Sequence, residues 1–384
     1  MRILRAEYFD KGSPGLAGIR QAKRYTVENY LNAINRYPRF WKSVRSNTYK
    51  AEALAGELQG GIEKLRAIYP ELRPAKIYFT IGALRSNGTT VDNLVLIGSE
   101  LALADEGTAT EEFQENMQGL RTFFDSNPIE DVVLLNVHEY VHTQQKPMVH
   151  NLLSQSLYEG VAEFVSVTAM GVPSAAPAIE YGKSNDAVRA KFEQEMFYGN
   201  NRHEWLWSSA PNDFGVRDLG YYIGYAICER YYEAAADKKA AIQTMIELDY
   251  ENEPEIEAFV DGTGFFSQPL ARLYEDFEAQ RPTVTALAPF ANGSQEVPPG
   301  PTTLTVTFSE PLNGYNTGID FGPLGEDHIP QIGPERAWGD DGRSWSFTAN
   351  LEPGRRYQVL ISNNFRTGGG APLKPYLIDF RVGE

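Results

Sequence analysis

Helical periodicity runs through the larger part of this 384-residue chain and stops near Gln280, and no single layered architecture accommodates both textures. Beyond that point short β-rich runs, Leu304–Phe308, Ser344–Thr348, Tyr357–Ile361 and Leu377–Val382, lie between turn clusters such as Pro298-Pro-Gly-Pro301 and Gly368-Gly-Gly370. Runs of this length, punctuated in this way, read as an all-β sandwich. The chain is also longer than one ordinary domain requires. Pro282 marks the change, so the predicted domains are 1–281 and 282–384.

Within the first domain, residues 1 to about 70 read as mostly helical. Lys76–Ile81 and Asn93–Ile97 read as strands, and the Asn87-Gly88 pair between them signals a β-hairpin near 76–98. Asn127-Pro-Ile-Glu130 has the pattern of a helix start, with Asn at the N-cap, Pro in the first turn and Glu three residues after the cap. That helix runs through Val132–Val137 into His138; a second covers roughly Leu152–Met170 and a third starts near Leu219. The expected fold class is multidomain: a mainly helical α+β domain followed by a β-sandwich.

The chain has five histidines, and two of them stand in His138-Glu139-Tyr140-Val141-His142. Positions i and i+4 share a helix face, so both imidazoles can converge on one ion, and zinc accepts such nitrogen ligands in a tetrahedral site. Glu139, about 100° round the helix from His138, is then placed to act as general base on a water. A third ligand is needed. Leu157-Tyr-Glu159-Gly-Val-Ala-Glu163 puts two carboxylates on one face of the next helix, with Glu159 available to the metal and Glu163 to a ligand histidine. Ser156-Leu-Tyr-Glu159 is equally a capping-box pattern, in which Glu159 would only close a helix end.

The pair His138-Glu-x-x-His142 followed by Glu159-Gly-x-Ala resembles the gluzincin metallopeptidases. The resemblance implies a zincin-like catalytic domain, Zn2+ held by His138, His142 and Glu159, Glu139 as base, Glu163 supporting a ligand histidine, and a peptide or protein substrate. The sixteen residues between His142 and Glu159 are slightly fewer than the commonest gluzincin spacing. Related enzymes often carry a Tyr three residues before a Gly to stabilise the oxyanion; Tyr221, before Gly224, matches, and Tyr225 is the next candidate. Thr80-Ile-Gly-Ala-Leu84 is the candidate for the substrate-binding strand edge. Gly82-Ala-Leu-Arg-Ser-Asn87 lacks the Glu that aminopeptidases of this group use to hold a substrate amine.

The last hundred residues are similar to bacterial Ig-like domains of secreted and surface proteins, on Thr305–Leu312, Leu351–Tyr357 and Gly370–Leu373. That resemblance implies an extracytoplasmic setting and a removed leader, since Met1-Arg-Ile-Leu-Arg opens no signal peptide. It leaves open whether the module binds a cell-surface ligand or only spaces the catalytic domain.

A formal charge of −16 repels phosphates and excludes a nucleic-acid partner. No run approaches the roughly eighteen apolar residues of a membrane span. One cysteine, Cys228, in an apolar pattern, reads as a buried thiol. Of the remaining histidines, His150 reads as a loop residue near the site, His328 as a residue of the β domain, and His203 as part of an aromatic loop with Trp205 and Trp207, which either lines a cleft or enters the core. Two other functions fit the same residues: a zinc hydrolase of non-peptide amides or esters, and a non-catalytic surface adhesin with a degenerate metal site.

Overall fold

The computed structural model describes residues 2–114, 117–198, 201–207 and 212–384. The chain divides into two compact units, Met1–Leu270 and Ala271–Glu384. After a short helical segment over residues 2–9, the first unit continues with four longer helices, α1 Pro14–Ala22, α2 Val27–Arg36, α3 Pro38–Thr48 and α4 Ala55–Ile68. Local chemistry starts the first two: Ser13 Oγ accepts from the Leu16 N–H, and Thr26 and Asn29 form a reciprocal capping box.

A small sheet follows, with β1 Lys76–Thr80, β2 Gly88–Val91 and β3 Leu94–Gly98 in the order β1-β3-β2. The expected hairpin is corrected here. The runs 76–81 and 93–97 pair in parallel, and the hairpin joins β2 to β3 instead. Its turn is Asp92-Asn93, with Asp92 at φ 51°, the left-handed geometry that two-residue hairpins demand. Asn87-Gly88 leads into β2 rather than turning the chain between two paired strands.

The longer helices that follow in this unit are α5 Gln118–Asp125, α6 Val132–His142, α7 Leu152–Met170, α8 Pro177–Lys183, α9 Ala187–Glu195, α10 Leu219–Ala234, α11 Lys238–Glu247 and α12 Glu253–Thr263. Asn127 does not cap α6. It adopts φ 56° and donates to Glu130, and a 3₁₀ turn, Pro128–Asp131, precedes the α-helix. Pairs α6–α7 and α7–α10 pack against each other, and the second pair is nearly in backbone contact. A Cβ on Gly160 would lie 2.1 Å from the Gly224 carbonyl carbon, and one on Gly224 would lie 1.9 Å from the Ser156 carbonyl oxygen. No side chain larger than hydrogen fits at that crossing, and the crossing brings Tyr221 of α10 to the level of Glu159 on α7. Cys228 is fully buried.

The second unit begins with helix α13, Leu270–Gln280, so it is not all-β as expected, and its boundary falls at 270/271 where the sequence pattern places it at 281/282. Its strands are β4 Val284–Ala288, β5 Gly300–Phe308, β6 Ile319–Phe321, β7 Gln331–Trp338, β8 Ser344–Leu351, β9 Arg356–Ile361 and β10 Tyr376–Arg381. They form two antiparallel sheets, β4-β5-β8-β7 and β10-β9-β6. Alternate residues of β5 and β8, including Leu304, Val306, Trp345 and Phe347, join Val359 and Ile361 of β9 in one buried cluster. This is the two-residue period of a strand with one face inward. The architecture is thus mixed helix and sheet in more than one unit. No helix among the described residues is long and apolar enough to cross a membrane.

Candidate metal centre

Helix α6 carries His138 and His142 one turn apart on one face, and α7 brings Glu159 against them. The helix start decides between the two readings of Glu159. Asn151 is the N-cap of α7, its side chain accepting from the Ser154 N–H at 2.8 Å. Ser156 therefore lies inside the helix, and Glu159 closes no helix end.

The three donors form a small triangle. His138 Nε2 and His142 Nε2 are 3.1 Å apart, His142 Nε2 and Glu159 Oε2 3.2 Å, and His138 Nε2 and Glu159 Oε2 3.5 Å. All three residues are buried. A tetrahedral ion with nitrogen and oxygen ligands at about 2.0–2.1 Å separates its ligands by about 3.3 Å, so the triangle has the edge lengths such an ion requires.

The outer hydrogen bonds say which atoms point inward. His138 Nδ1 lies 2.9 Å from Glu163 Oε2, and the other oxygen of Glu163 accepts from Ser174 Oγ. His142 Nδ1 lies 2.7 Å from Gln145 Oε1, whose orientation is set because the Gln145 amide group donates to the Tyr158 carbonyl and to the Tyr250 hydroxyl. Each Nδ1–H is therefore the donor to an oxygen, and in the neutral rings each Nε2 turns a lone pair to the centre. Two imidazole lone pairs and a carboxylate oxygen within 3.5 Å of each other repel unless a cation lies among them. The residues fit a metal ion on this ground.

A proton is the competing cation. Burial pulls His138 down, but hydrogen bonds to Glu159 and Glu163, with the charges of Glu163 and Glu139, outweigh it and raise the imidazole from 6.5 to about 10 in the metal-free chain. Glu159, despite burial, is held well below the usual carboxylate range by His142 and His138. A metal must displace the His138 proton below pH about 10, so apparent affinity should rise as pH rises, by about tenfold per unit through the neutral range. Competition with a chelator of known affinity at three pH values measures this. A flat profile would mean that His138 does not bind the ion.

Glu139 lies beside this triangle without entering it. Burial pushes its carboxyl up, the Glu159 charge adds to that, and His142 and His138 oppose it. The backbone of β2 packs directly on it: a Cβ on Gly88 would come within 2.6 Å of Glu139 Oε1. Tyr221 lies nearly parallel to the His138 ring at 6.2 Å, with its hydroxyl accepting from Trp207 Nε1 at 3.1 Å and close enough to Glu159 to feel its charge. Burial, then the Glu159 charge, raises this phenol well above its ordinary value, so it stays a hydroxyl. Tyr225, one turn later, is engaged elsewhere, edge-on to Phe164 with the Lys183 ammonium over its ring.

The structure thus brings together His138, His142, Glu159, Glu139, Glu163 and Tyr221. It adds residues that sequence reasoning missed. Gln145 orients His142, Tyr158 stacks on the His142 ring at 4.7 Å, and Ser174 holds Glu163. Only Gln145, three residues after His142, offered a sequence signal. Trp205 is buried against Phe192, but Trp207 is 46% exposed and reaches the site.

Thr80–Leu84 does not form the strand edge at the site. The Ile81 carbonyl accepts from Tyr8 and Tyr30, and the Gly82 and Leu84 N–H groups donate to the buried Glu100. The strand beside Glu139 is β2. His150 pairs with Gln155, and His328 with the Arg356 carbonyl.

No family model matches the chain, and no curated protein matches it. Solved structures with a likeness include a crystal structure of the S-layer protein rSbsC, at 10% identity and TM-score 0.20, and domains 1-6 of the surface layer protein SbsC, at 13% identity and TM-score 0.20. In each case the match covers 74% of this chain and 39% of the other. At that score the likeness carries no fold assignment. The buried His138–His142–Glu159 group, able to hold a metal ion, is accordingly the feature from which a function must be argued.

Proposed function

We propose that the chain is a zinc-dependent peptidase of the gluzincin type, with zinc held by His138, His142 and Glu159. The observation that carries the reading is the buried carboxylate of Glu139, which lies beside the three donors and contributes no ligand atom. A metal that only stabilises a fold has no use for such a group. Two imidazoles and one carboxylate are a donor set suited to zinc, with a coordination position left open for chemistry. When bound there, zinc supplies the Lewis acidity that makes water a nucleophile near neutral pH.

The side chains then have separate roles. Glu139 takes the proton of the attacking water and delivers it to the leaving amine. Glu163 and Gln145 hold the two imidazoles in the tautomer that turns Nε2 inward. The Tyr221 hydroxyl, kept protonated, offers a hydrogen bond to the oxygen that gains charge as the carbonyl becomes tetrahedral. β2 pairs with β3 on one side, and an extended peptide added along its other side would run past Glu139. The second unit supports a secreted or surface-exposed setting through its Ig-like sequence motifs, with a cell-surface ligand as its natural partner.

Mass spectrometry of a peptide library incubated with the zinc-loaded chain tests the reading. Cleavages that disappear with chelator and return with zinc are expected. An uncleaved library in the presence of stoichiometric zinc would contradict it.

A further inference from the structure

We infer that Trp207 is a positioning residue for the reaction at this site: its indole N–H holds the Tyr221 hydroxyl so that the phenolic proton is offered to the oxygen gaining charge on the attacked carbonyl. The role rests on the peptidase reading. Trp207 Nε1 lies 3.1 Å from the Tyr221 oxygen, and the Tyr221 ring lies nearly parallel to that of His138, with the centroids 6.2 Å apart. An indole N–H can only donate, so the phenolic oxygen is the acceptor in this bond and its own proton is left for another acceptor. A hydroxyl that accepts a hydrogen bond is also polarised toward donating its proton.

The chain fixes Trp207 at two points on the helix that carries Tyr221. Its backbone N–H donates to Asp218 Oδ1 at 2.7 Å, and Asp218 is the residue immediately before α10. Asp218 Oδ2 accepts from Arg217 Nε at 2.6 Å, and the Asp218 carbonyl accepts from the Tyr221 N–H at 3.0 Å. Backbone and indole of Trp207 thus bridge one helical turn, from Asp218 to Tyr221. The two preceding residues hold the segment against the core. Trp205 is buried edge-on to Phe192, with its Nε1 donating to Glu195 at 2.9 Å. Leu206 is fully buried and packs so closely on α10 that a Cβ on Gly220 would meet it at 2.7 Å.

Burial of apolar surface gives no reason for this placement. Trp207 is 46% exposed although Trp205 and Leu206 are buried. Trp207, at φ 56°, and Asp218, at φ 61°, both hold the left-handed backbone that residues with a Cβ rarely adopt. Such residues persist only where their surroundings hold them, and they cluster at functional sites. What these two achieve together is the bond from the indole to Tyr221.

A panel of phosphinic peptides, in which a tetrahedral phosphinate replaces one amide, presents a charged oxygen where the attacked carbonyl would and requires no turnover. Affinity for the zinc-loaded full chain is measured by calorimetry in the parent, Trp207→Phe, Tyr221→Phe and the double variant. Trp207→Phe keeps an aromatic ring and removes the N–H. It should weaken binding about fivefold, the worth of one ordinary hydrogen bond, and should cost nothing further when Tyr221 is already Phe, because the indole acts through the phenol. Zinc content should not change. Where the corresponding amide peptide is cleaved, kcat should fall by a similar factor with KM unmoved. Undiminished affinity in Trp207→Phe, an equal loss with and without the Tyr221 phenol, or a zinc-loaded parent that binds no phosphinate would overturn the role. The coupled loss with no amide peptide cleaved would leave the indole–phenol pair standing as a device that recognises a tetrahedral oxygen and overturn the peptidase reading alone.

Discussion

Replacing Glu139 by Gln should lower peptide hydrolysis by about 10²–10⁴-fold, the usual contribution of a positioned general base, while the zinc content stays unchanged. The substitution isolates one function because of what Glu139 touches. Its side chain fills the space against Gly88, and Gln has the same shape. It is not among the three donors, so the triangle of His138, His142 and Glu159 is left complete. Burial works against the ionised carboxylate, so removing the charge takes no favourable solvation from the fold. The loss should appear in kcat, with elemental analysis of the same sample as control. Full activity with bound zinc would remove Glu139 from the reaction. Loss of zinc together with activity would show instead that Glu139 holds the metal.

How much of this was legible in the sequence follows from the range of the interactions involved. The pair His138 and His142 can be read because a helix of fixed period places them on one face, and the periodicity around them is local. Glu159 is ambiguous for an equally local reason. Ser156 and Glu159 have capping-box spacing, and only the start of α7 at Asn151, ahead of the cap that this pattern would require, settles that Glu159 is mid-helix. Glu163 is legible as a partner for a histidine; that it takes His138, with Ser174 on its other oxygen, depends on how α7 packs on α6.

The sheet departs from its sequence pattern where pairing is non-local. Asn87-Gly88 is a strong hairpin signal between its neighbours, yet β1 and β3 pair in parallel with β2 on the far side. Nothing within a ten-residue window distinguishes those outcomes, because the difference lies in the choice of pairing partner and register. The indole of Trp207 suits a core by its chemistry. Its left-handed backbone, φ 56°, and the bond from its N–H to Asp218 turn the indole outward to Tyr221 instead. The close crossing of Gly160 and Gly224 is equally invisible in sequence, since each glycine has its reason only in the other helix.

The central claim is that three buried lone pairs converge on a metal ion. Removing two of them, in the double variant His138→Ala, His142→Ala, should have the largest effect of any substitution in the chain. Glu159 would be left alone, and a single carboxylate does not retain zinc in competition with buffer and water. The variant should also lose metal-dependent stabilisation. A ligand present at about a thousand times its Kd stabilises the native chain by about 4 kcal/mol, so zinc should raise the melting temperature of the parent chain and leave that of the variant unmoved.

Elemental analysis of the purified parent chain and of this variant, side by side, tests the claim most directly. About one zinc per chain in the parent and none in the variant is the expected result. No zinc in the parent after incubation with the metal, or equal zinc in both, would contradict it: the lone pairs of His138, His142 and Glu159 would then share a proton rather than a metal.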